Sequence, residues 1–173
     1  KRIGEALCWA FLQRGVDVRV ARIHNTYGPY MDADDGRAVP TFIEQALAGQ
    51  MLTVHGSGNQ TRSLCYIDDL VTGLIRLMEV EREDRFLGPV NLGNNVEVRV
   101  SYLARRIAEA AAADLQIRYI ERPIDDPERR CPDITLARAL LNWEPVVDLD
   151  TGLRKTIAWW RAQQTPREGA YAD

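Results

Sequence analysis

The chain has 173 residues, 46% of them hydrophobic and 27% charged, with 12 Gly and 8 Pro, which places it among chains that can bury a core. Lys and Arg number 22 against 25 Asp and Glu, a formal net charge of -3 with no long block of one sign, so the electrostatic footprint of a general nucleic-acid binder is excluded. No apolar run approaches the roughly 20 residues that span a bilayer, and Lys1 to Glu5 has neither the apolar stretch nor the cleavage site of a signal peptide. A soluble, cytoplasmic chain with no membrane or nucleic-acid partner is expected.

Cys8, Cys65 and Cys131 are odd in number, far apart and without Cys/His spacing suited to zinc, so they read as reduced packing thiols. His24 and His55 are equally distant, and no metal is expected. Residue 1 is Lys rather than Met and opens directly into an amphipathic segment, as though the chain were the back part of something longer.

Residues 2 to 14 carry Ile3, Ala6, Leu7, Ala10 and Phe11 at helical spacing, and Gly15 ends that helix. The β-branched run from Val16 to Ile23 follows as a strand. Helix then strand is the rhythm of an α/β sheet, and the polar loop from His24 to Arg37 lies at the strand's carboxyl end, where such folds bind ligands.

A helix is predicted from about Val39 to Leu47. Leu52 to His55, a turn at Gly56 to Asn59 and a strand near Arg62 to Tyr66 read as a small hairpin. Ile67 to Met78 forms a helix with Leu70, Leu74 and Leu77 inward, its start favoured by Asp68 and Asp69. Pro89 to Leu92 is a short strand. Ser101 is expected to cap a helix with Leu103, Ile107 and Ala111, and Leu115 to Ile120 is a further strand. Arg122 to Pro132 reads as an irregular charged loop. Asp133 caps a short helix carrying Leu136 and Leu140, Asp150 begins a last helix with Leu153, Ile157 and Trp160, and the tail from Thr165 is expected to fray. There is no internal repeat.

Taken singly, the polar candidates are unspecific. Arg62 stands just past a glycine turn, where arginine is most often a surface ion-pair residue. Arg130 has Asp125, Asp126 and Glu128 nearby as salt-bridge partners. Asn25 ends a strand, where Asn commonly turns the chain through its own side chain. No Gly-Xaa-Ser-Xaa-Gly elbow points to a serine hydrolase.

In combination they are specific. Arg22-Ile23-His24-Asn25-Thr26-Tyr27-Gly28-Pro29, Asp35-Gly36-Arg37-Ala38-Val39-Pro40, Leu52-Thr53-Val54-His55-Gly56 through Arg62 to Tyr66-Ile67-Asp68-Asp69-Leu70, Pro89-Val90-Asn91-Leu92-Gly93, Asp125 through Arg130 to Asp133, and Leu141-Asn142-Trp143-Glu144-Pro145 follow in order. The series resembles the nucleotide-sugar-modifying extended short-chain dehydrogenases, and among them the branch that decarboxylates UDP-glucuronate. It runs from Lys1 to about Arg161.

That resemblance implies an α/β fold: the end of a Rossmann sheet, with residual elements at about 1–30 and 89–93, plus a small α/β substrate-binding domain. The 173 residues would be the nucleotide-sugar-binding portion, with the NAD-binding half absent. Lys1 would be the lysine of a Tyr-Xaa-Xaa-Xaa-Lys motif, catalytic and cofactor-binding, its tyrosine four residues earlier. His24 would lie beside the nicotinamide of NAD, and Asn25 near the substrate diphosphate. Arg62 and Arg130 would grip the diphosphate and ribose, for which a guanidinium fork is suited. Thr53 and His55 would flank the uracil, Gln60 the ribose, and Val39 would line the substrate side. His55 stands where Tyr or Phe is usual, and Tyr30 where Arg is common.

Arg37 favours decarboxylation, since a guanidinium by the sugar stabilises the charge left as carbon dioxide departs. The complete protein would then convert UDP-glucuronate to UDP-xylose with NAD, as a homodimer through the Lys1 helix. Two alternatives stay open: a dTDP-glucose 4,6-dehydratase or another nucleotide-sugar epimerase or dehydratase, and a truncated module that binds UDP-sugar or pairs with a partner without turnover.

Overall fold

The computed structural model describes residues 2–81 and 86–164; Lys1 and the tail from Thr165 lie outside the described residues. In chain order the elements are α1 (Arg2–Leu12), β1 (Val18–Ile23), β2 (Thr26–Tyr27), a 3-10 turn (Ala33–Asp35), α2 (Ala38–Leu47), β3 (Leu52–His55), β4 (Thr61–Ser63), β5 (Cys65–Tyr66), α3 (Ile67–Glu79), β6 (Phe86–Leu92), β7 (Glu97–Arg99), α4 (Val100–Ala110), β8 (Ile117–Ile120), β9 (Arg129–Arg130), α5 (Thr135–Leu141) and α6 (Leu149–Gln164). They fall into two units: residues 1–26, 62–97 and 130–147, and residues 27–61, 98–129 and 148–173. No helix among the described residues is long and apolar enough to cross a membrane.

The first unit is built on the parallel pair β1 and β6, with Arg22 opposite Asn91 and Ile23 opposite Leu92. Helices α1 and α3 pack on β1, and α5 packs on β6. Its core holds Cys65, Leu70, Leu77, Val90, Leu92, Ile134, Ala137, Leu141 and Trp143. Helices α3 and α5 supply apolar faces that cover this pair.

Asp69 is buried rather than merely complementing a helix dipole. Its carboxylate accepts the Val147 N–H at 2.9 Å, while its carbonyl accepts the Trp143 indole N–H at 2.9 Å. The N-cap of α5 is Ile134, and Asp133, expected to be the cap, stands one residue earlier and accepts from Thr135 N at 2.8 Å. The inward face of that helix is Ala137 and Leu141, whereas Leu136 and Leu140 are exposed. In α1 only Leu12 is buried, and the predicted apolar face of Ile3, Leu7 and Phe11 is open. The Glu5 carboxylate, held below its usual range by hydrogen bonds from Arg22, ties α1 to β1 through two contacts of 2.7 and 2.8 Å.

The second unit pairs β3 with β8 in parallel, Leu52 opposite Ile117 and His55 opposite Ile120. This overturns the predicted hairpin. Leu52 N–H donates to Gln116 and Gly56 N–H to Ile120, so the edge of β3 is satisfied by β8 and not by the strand that follows it. The intervening turn has left-handed glycines at 56 and 58, and Gly58 lies so close to α4 that a Cβ there would meet the Ser101 Cβ at 2.9 Å.

Ser101 is consequently not a cap. It sits inside α4, whose first N–H groups at Val100 and Ser101 donate to the carbonyls of Gln60 and Gly58 at 3.0 Å. The turn itself caps the helix. α2 and α4 bury Val39, Phe42, Ile43, Leu103, Ala104 and Ile107, with Leu153, Ile157 and Trp160 of α6. The last helix begins at Leu149 rather than Asp150: Asp148 caps it by accepting from Thr151 N, and Asp150 pairs with Arg106 of α4.

Candidate functional site

In the first unit, His24 and Asn25 follow the end of β1, Arg62 stands in the middle of β4 and Arg130 ends β9. His24 follows β1, and its N–H donates to Leu92 of β6 at 2.9 Å. Asn25 accepts the Cys65 N–H through its carbonyl at 2.9 Å, while the local turn is made by Thr26, whose hydroxyl donates to the His24 carbonyl at 2.8 Å. The side chain of Asn25 is thus not needed for the turn. Arg62, half-buried on β4, neighbours Arg130, exposed on β9. Ser63 Oγ donates to the Arg130 carbonyl at 3.1 Å.

The circuit closes at Gly93. A Cβ at that residue would lie 2.7 Å from the His24 Cβ and 3.1 Å from the Pro132 Cγ, two residues beyond Arg130. His24, Asn25, Arg62 and Arg130 are therefore gathered at the carboxyl end of a parallel pair, the ligand-binding edge of open α/β sheets. Lys1 lies outside the described residues.

In the second unit, Thr53 is clamped by Gln45: its N–H donates to Gln45 Oε1, and its hydroxyl accepts from Gln45 Nε2, both at 2.9 Å. The Thr53 hydroxyl keeps its own proton to donate. His55 is exposed, and its Nδ1 lies 3.0 Å from the Glu121 carbonyl. A carbonyl only accepts, so Nδ1 carries the proton and the ring orientation is fixed. Gln60 is buried, and its amide nitrogen donates to the His55 carbonyl at 2.7 Å; that nitrogen holds the turn together. Val39 is buried in the core.

Arg37 precedes α2, and its Nε donates to Asp35 Oδ2 at 2.7 Å, with Nη2 on the same oxygen. Gly36, at φ 73°, supplies the left-handed turn that folds Arg37 back. The guanidinium holds the Asp35 carboxyl below the usual carboxylate range. Tyr30 is exposed at φ 65°, its ring 5.0 Å from that of Trp159.

The charged segment after β8 is a loop, as expected, apart from the two residues of β9, and side-chain hydrogen bonds order it. Arg122 donates to the Asp126 carbonyl at 2.7 Å and pairs with the Asp126 and Glu128 carboxylates, and its stem runs past Gly56, where a Cβ would stand 3.3 Å from the Arg122 Cδ. Two acids that the sequence offers to Arg130 are thus engaged by Arg122. Gln45, Arg122 and Gly93 were not legible as site residues; their roles arise from contacts between segments distant in sequence. Among the described residues no cluster of His, Cys, Asp or Glu could hold a metal ion, and the three cysteines are free.

Among curated relatives, UDP-glucuronic acid decarboxylase 1 of Xenopus tropicalis is 49% identical over 164 residues, which are 94% of this chain and 38% of that protein. UDP-glucuronic acid decarboxylase 6 of Arabidopsis thaliana is 47% identical over 88% of this chain and 44% of its own length. The chain thus spans less than half of these relatives. Among solved structures, UDP-glucose 4-epimerase of Thermotoga maritima with UDP-glucose superposes with a TM-score of 0.87 at 28% identity, covering 94% of this chain and 52% of the other. UDP-glucuronic acid 4-epimerase of Bacillus cereus, in complex with UDP-glucuronic acid and NAD, gives 0.82 at 25% identity, covering 92% and 50%. The model of the NAD dependent epimerase/dehydratase family matches residues 1–93, which include β1, β6 and the His24 and Arg62 positions, and the chain belongs to that family.

Proposed function

We propose that the complete protein is an NAD-dependent decarboxylase that converts UDP-glucuronate to UDP-xylose, and that this chain supplies the nucleotide-sugar side of its site. The observation that carries the reading is the meeting of Arg62 and Arg130 on adjacent strands beside His24 and Asn25, taken with 49% identity to a UDP-glucuronic acid decarboxylase. Bound NAD would supply reversible hydride acceptance at the sugar C4. His24 and Lys1 would hold it.

The two arginines bind the diphosphate and Asn25 orients it, while Thr53, His55 and Gln60 frame the nucleoside and the Val39 backbone borders it. Once C4 is a ketone, the C5 carboxylate leaves as carbon dioxide, and its bonding electrons pass to an enolate. Arg37 stabilises that charge and orients the incoming proton, a guanidinium being effective where charge develops in the transition state. The open Ile3, Leu7 and Phe11 stripe of α1 supports a homodimer through that helix. A cytoplasmic enzyme with no nucleic-acid or membrane partner fits the composition.

Incubating full-length protein with NAD and either UDP-glucuronate or dTDP-glucose, with products identified by mass, tests the reading. Carbon dioxide and UDP-pentose are expected. Loss of water from dTDP-glucose without decarboxylation of UDP-glucuronate would assign the protein to the dehydratases instead, and binding of UDP-sugar with no product from either would leave a non-catalytic module.

A further inference from the structure

The end of β6 holds a residue whose missing side chain decides the spacing of two candidate groups. Gly93 is flanked by His24 and Pro132, and neither neighbour can turn aside. A Cβ at residue 93 would stand 2.7 Å from the His24 Cβ, an atom fixed to the backbone, and 3.4 Å from its Cγ; the Pro132 Cγ, in a closed ring, would be at 3.1 Å.

The surrounding hydrogen bonds leave little slack. His24 N–H is held on the Leu92 carbonyl at 2.9 Å. The 131–133 segment is stitched along the same strand end by Asn91 Nδ2 donating to the Asp133 carbonyl at 2.8 Å and by the Cys131 thiol donating to the Asn95 carbonyl at 3.4 Å. The φ of Gly93 is not positive, so the glycine serves close approach rather than a special backbone conformation.

We propose that Gly93 is a positioning residue which, by having no side chain, sets His24 and the Arg130-bearing segment at the separation the site needs. The proposal rests on the reading of His24 as a nicotinamide neighbour and Arg130 as a diphosphate ligand, and it adds the residue through which both are placed. One added methyl group must move the backbone at residue 24, the 131–133 segment, or both.

The test is Gly93→Ala in the full-length protein, with calorimetry for UDP and for NAD beside a melting curve. Wild-type protein that binds neither ligand would sink the functional reading itself, independently of Gly93. Where wild type binds both, Gly93→Ala is expected to weaken each by about tenfold or more, as misplacement of groups on the order of an ångström does. Loss of melting temperature with either affinity unchanged would overturn the proposal and leave Gly93 a packing residue.

Should Gly93→Ala fail to fold, Gly93→Ala/Pro132→Ala removes the 3.1 Å contact and carries the test. Near-wild-type UDP binding with NAD binding still about tenfold weaker supports the spacer. Any other affinity pattern, or a double variant that also fails to fold, overturns it.

Discussion

Ser63 Oγ donates to the carbonyl oxygen of Arg130 at 3.1 Å, so the strand carrying Arg62 and the strand carrying Arg130 are held side by side. On the proposed reading, the two guanidiniums on these short strands would serve an anion with more than one charged oxygen. Truncating Arg62 or Arg130 to Ala in the full-length protein should weaken UDP-sugar binding by about 1.5–3 kcal/mol each, the range for hydrogen bonds to charged groups. If either arginine serves only a structural ion pair, affinity stays constant and the melting temperature falls. Calorimetry and a melting curve on the same samples separate the two outcomes.

Arg37 is held by Asp35 and is more than half exposed, so replacing it should leave the folded core intact. Arg37→Ala should slow carbon dioxide release from UDP-glucuronate by on the order of 100-fold or more, the effect of removing a donor to a developing anion, while UDP affinity stays near wild type. Equal losses in UDP binding and turnover would place Arg37 on the diphosphate instead. The depressed Asp35 carboxyl fixes the acid side: its pairing with Arg37 is present above the usual carboxylate pKa and is lost as pH falls through the lowered folded value. Asp35→Asn should accordingly remove the part of the acid limb that reports loss of this pair.

Periodicity located most helices and parallel strands because their signals are local. The spacing of Leu153, Ile157 and Trp160 in α6 corresponds to a buried face, whereas the β-branched run of β1 forms its strand with every residue half-buried or exposed. Pairing was less legible: β3 and the segment around β4 have the spacing of a hairpin, yet β8, far along the chain, fills the edge of β3. The helix signal at Ser101 failed for the same reason, since the carbonyls of Gly58 and Gln60 cap α4 from a distant turn. The candidate residues were found through motif order, whereas the groups that orient them, such as Gln45 on Thr53 and Gly93 beside His24, depend on contacts that carry no periodic signal.

Gly73 offers a case in which local and tertiary preferences oppose each other. Alanine is favoured over glycine by about 1 kcal/mol within a helix, and Gly73 lies in the interior of α3. Its Cβ would, however, stand 2.9 Å from the Trp143 Cε2 and 3.1 Å from the Leu92 Cδ2. Trp143 cannot rotate away without losing its indole hydrogen bond to Asp69. Overpacking of this kind costs about 1–3 kcal/mol, so Gly73→Ala should lower the melting temperature. A higher melting temperature would show that the Trp143 ring yields.

The last prediction concerns Cys65, which is buried beside α3 and has its thiol pushed up to about 12, chiefly by burial, with the Asp69 charge adding to the effect. At pH 8 the thiolate, which is the reactive form, should be scarce at this residue. A disulfide reagent should therefore label the half-buried Cys8 and Cys131 ahead of Cys65 in native protein and label all three in denaturant. The raised value also has a stability consequence. The unfolded thiol titrates near 9.0, so the contribution from keeping it neutral is complete below that pH and is lost as pH rises toward 12. Cys65→Ala should flatten the alkaline fall in stability relative to wild type, measured by denaturant unfolding at a series of pH values. Native-state labelling of Cys65 as fast as Cys8, together with an unchanged alkaline slope in the variant, would show that this part of the core is open to solvent.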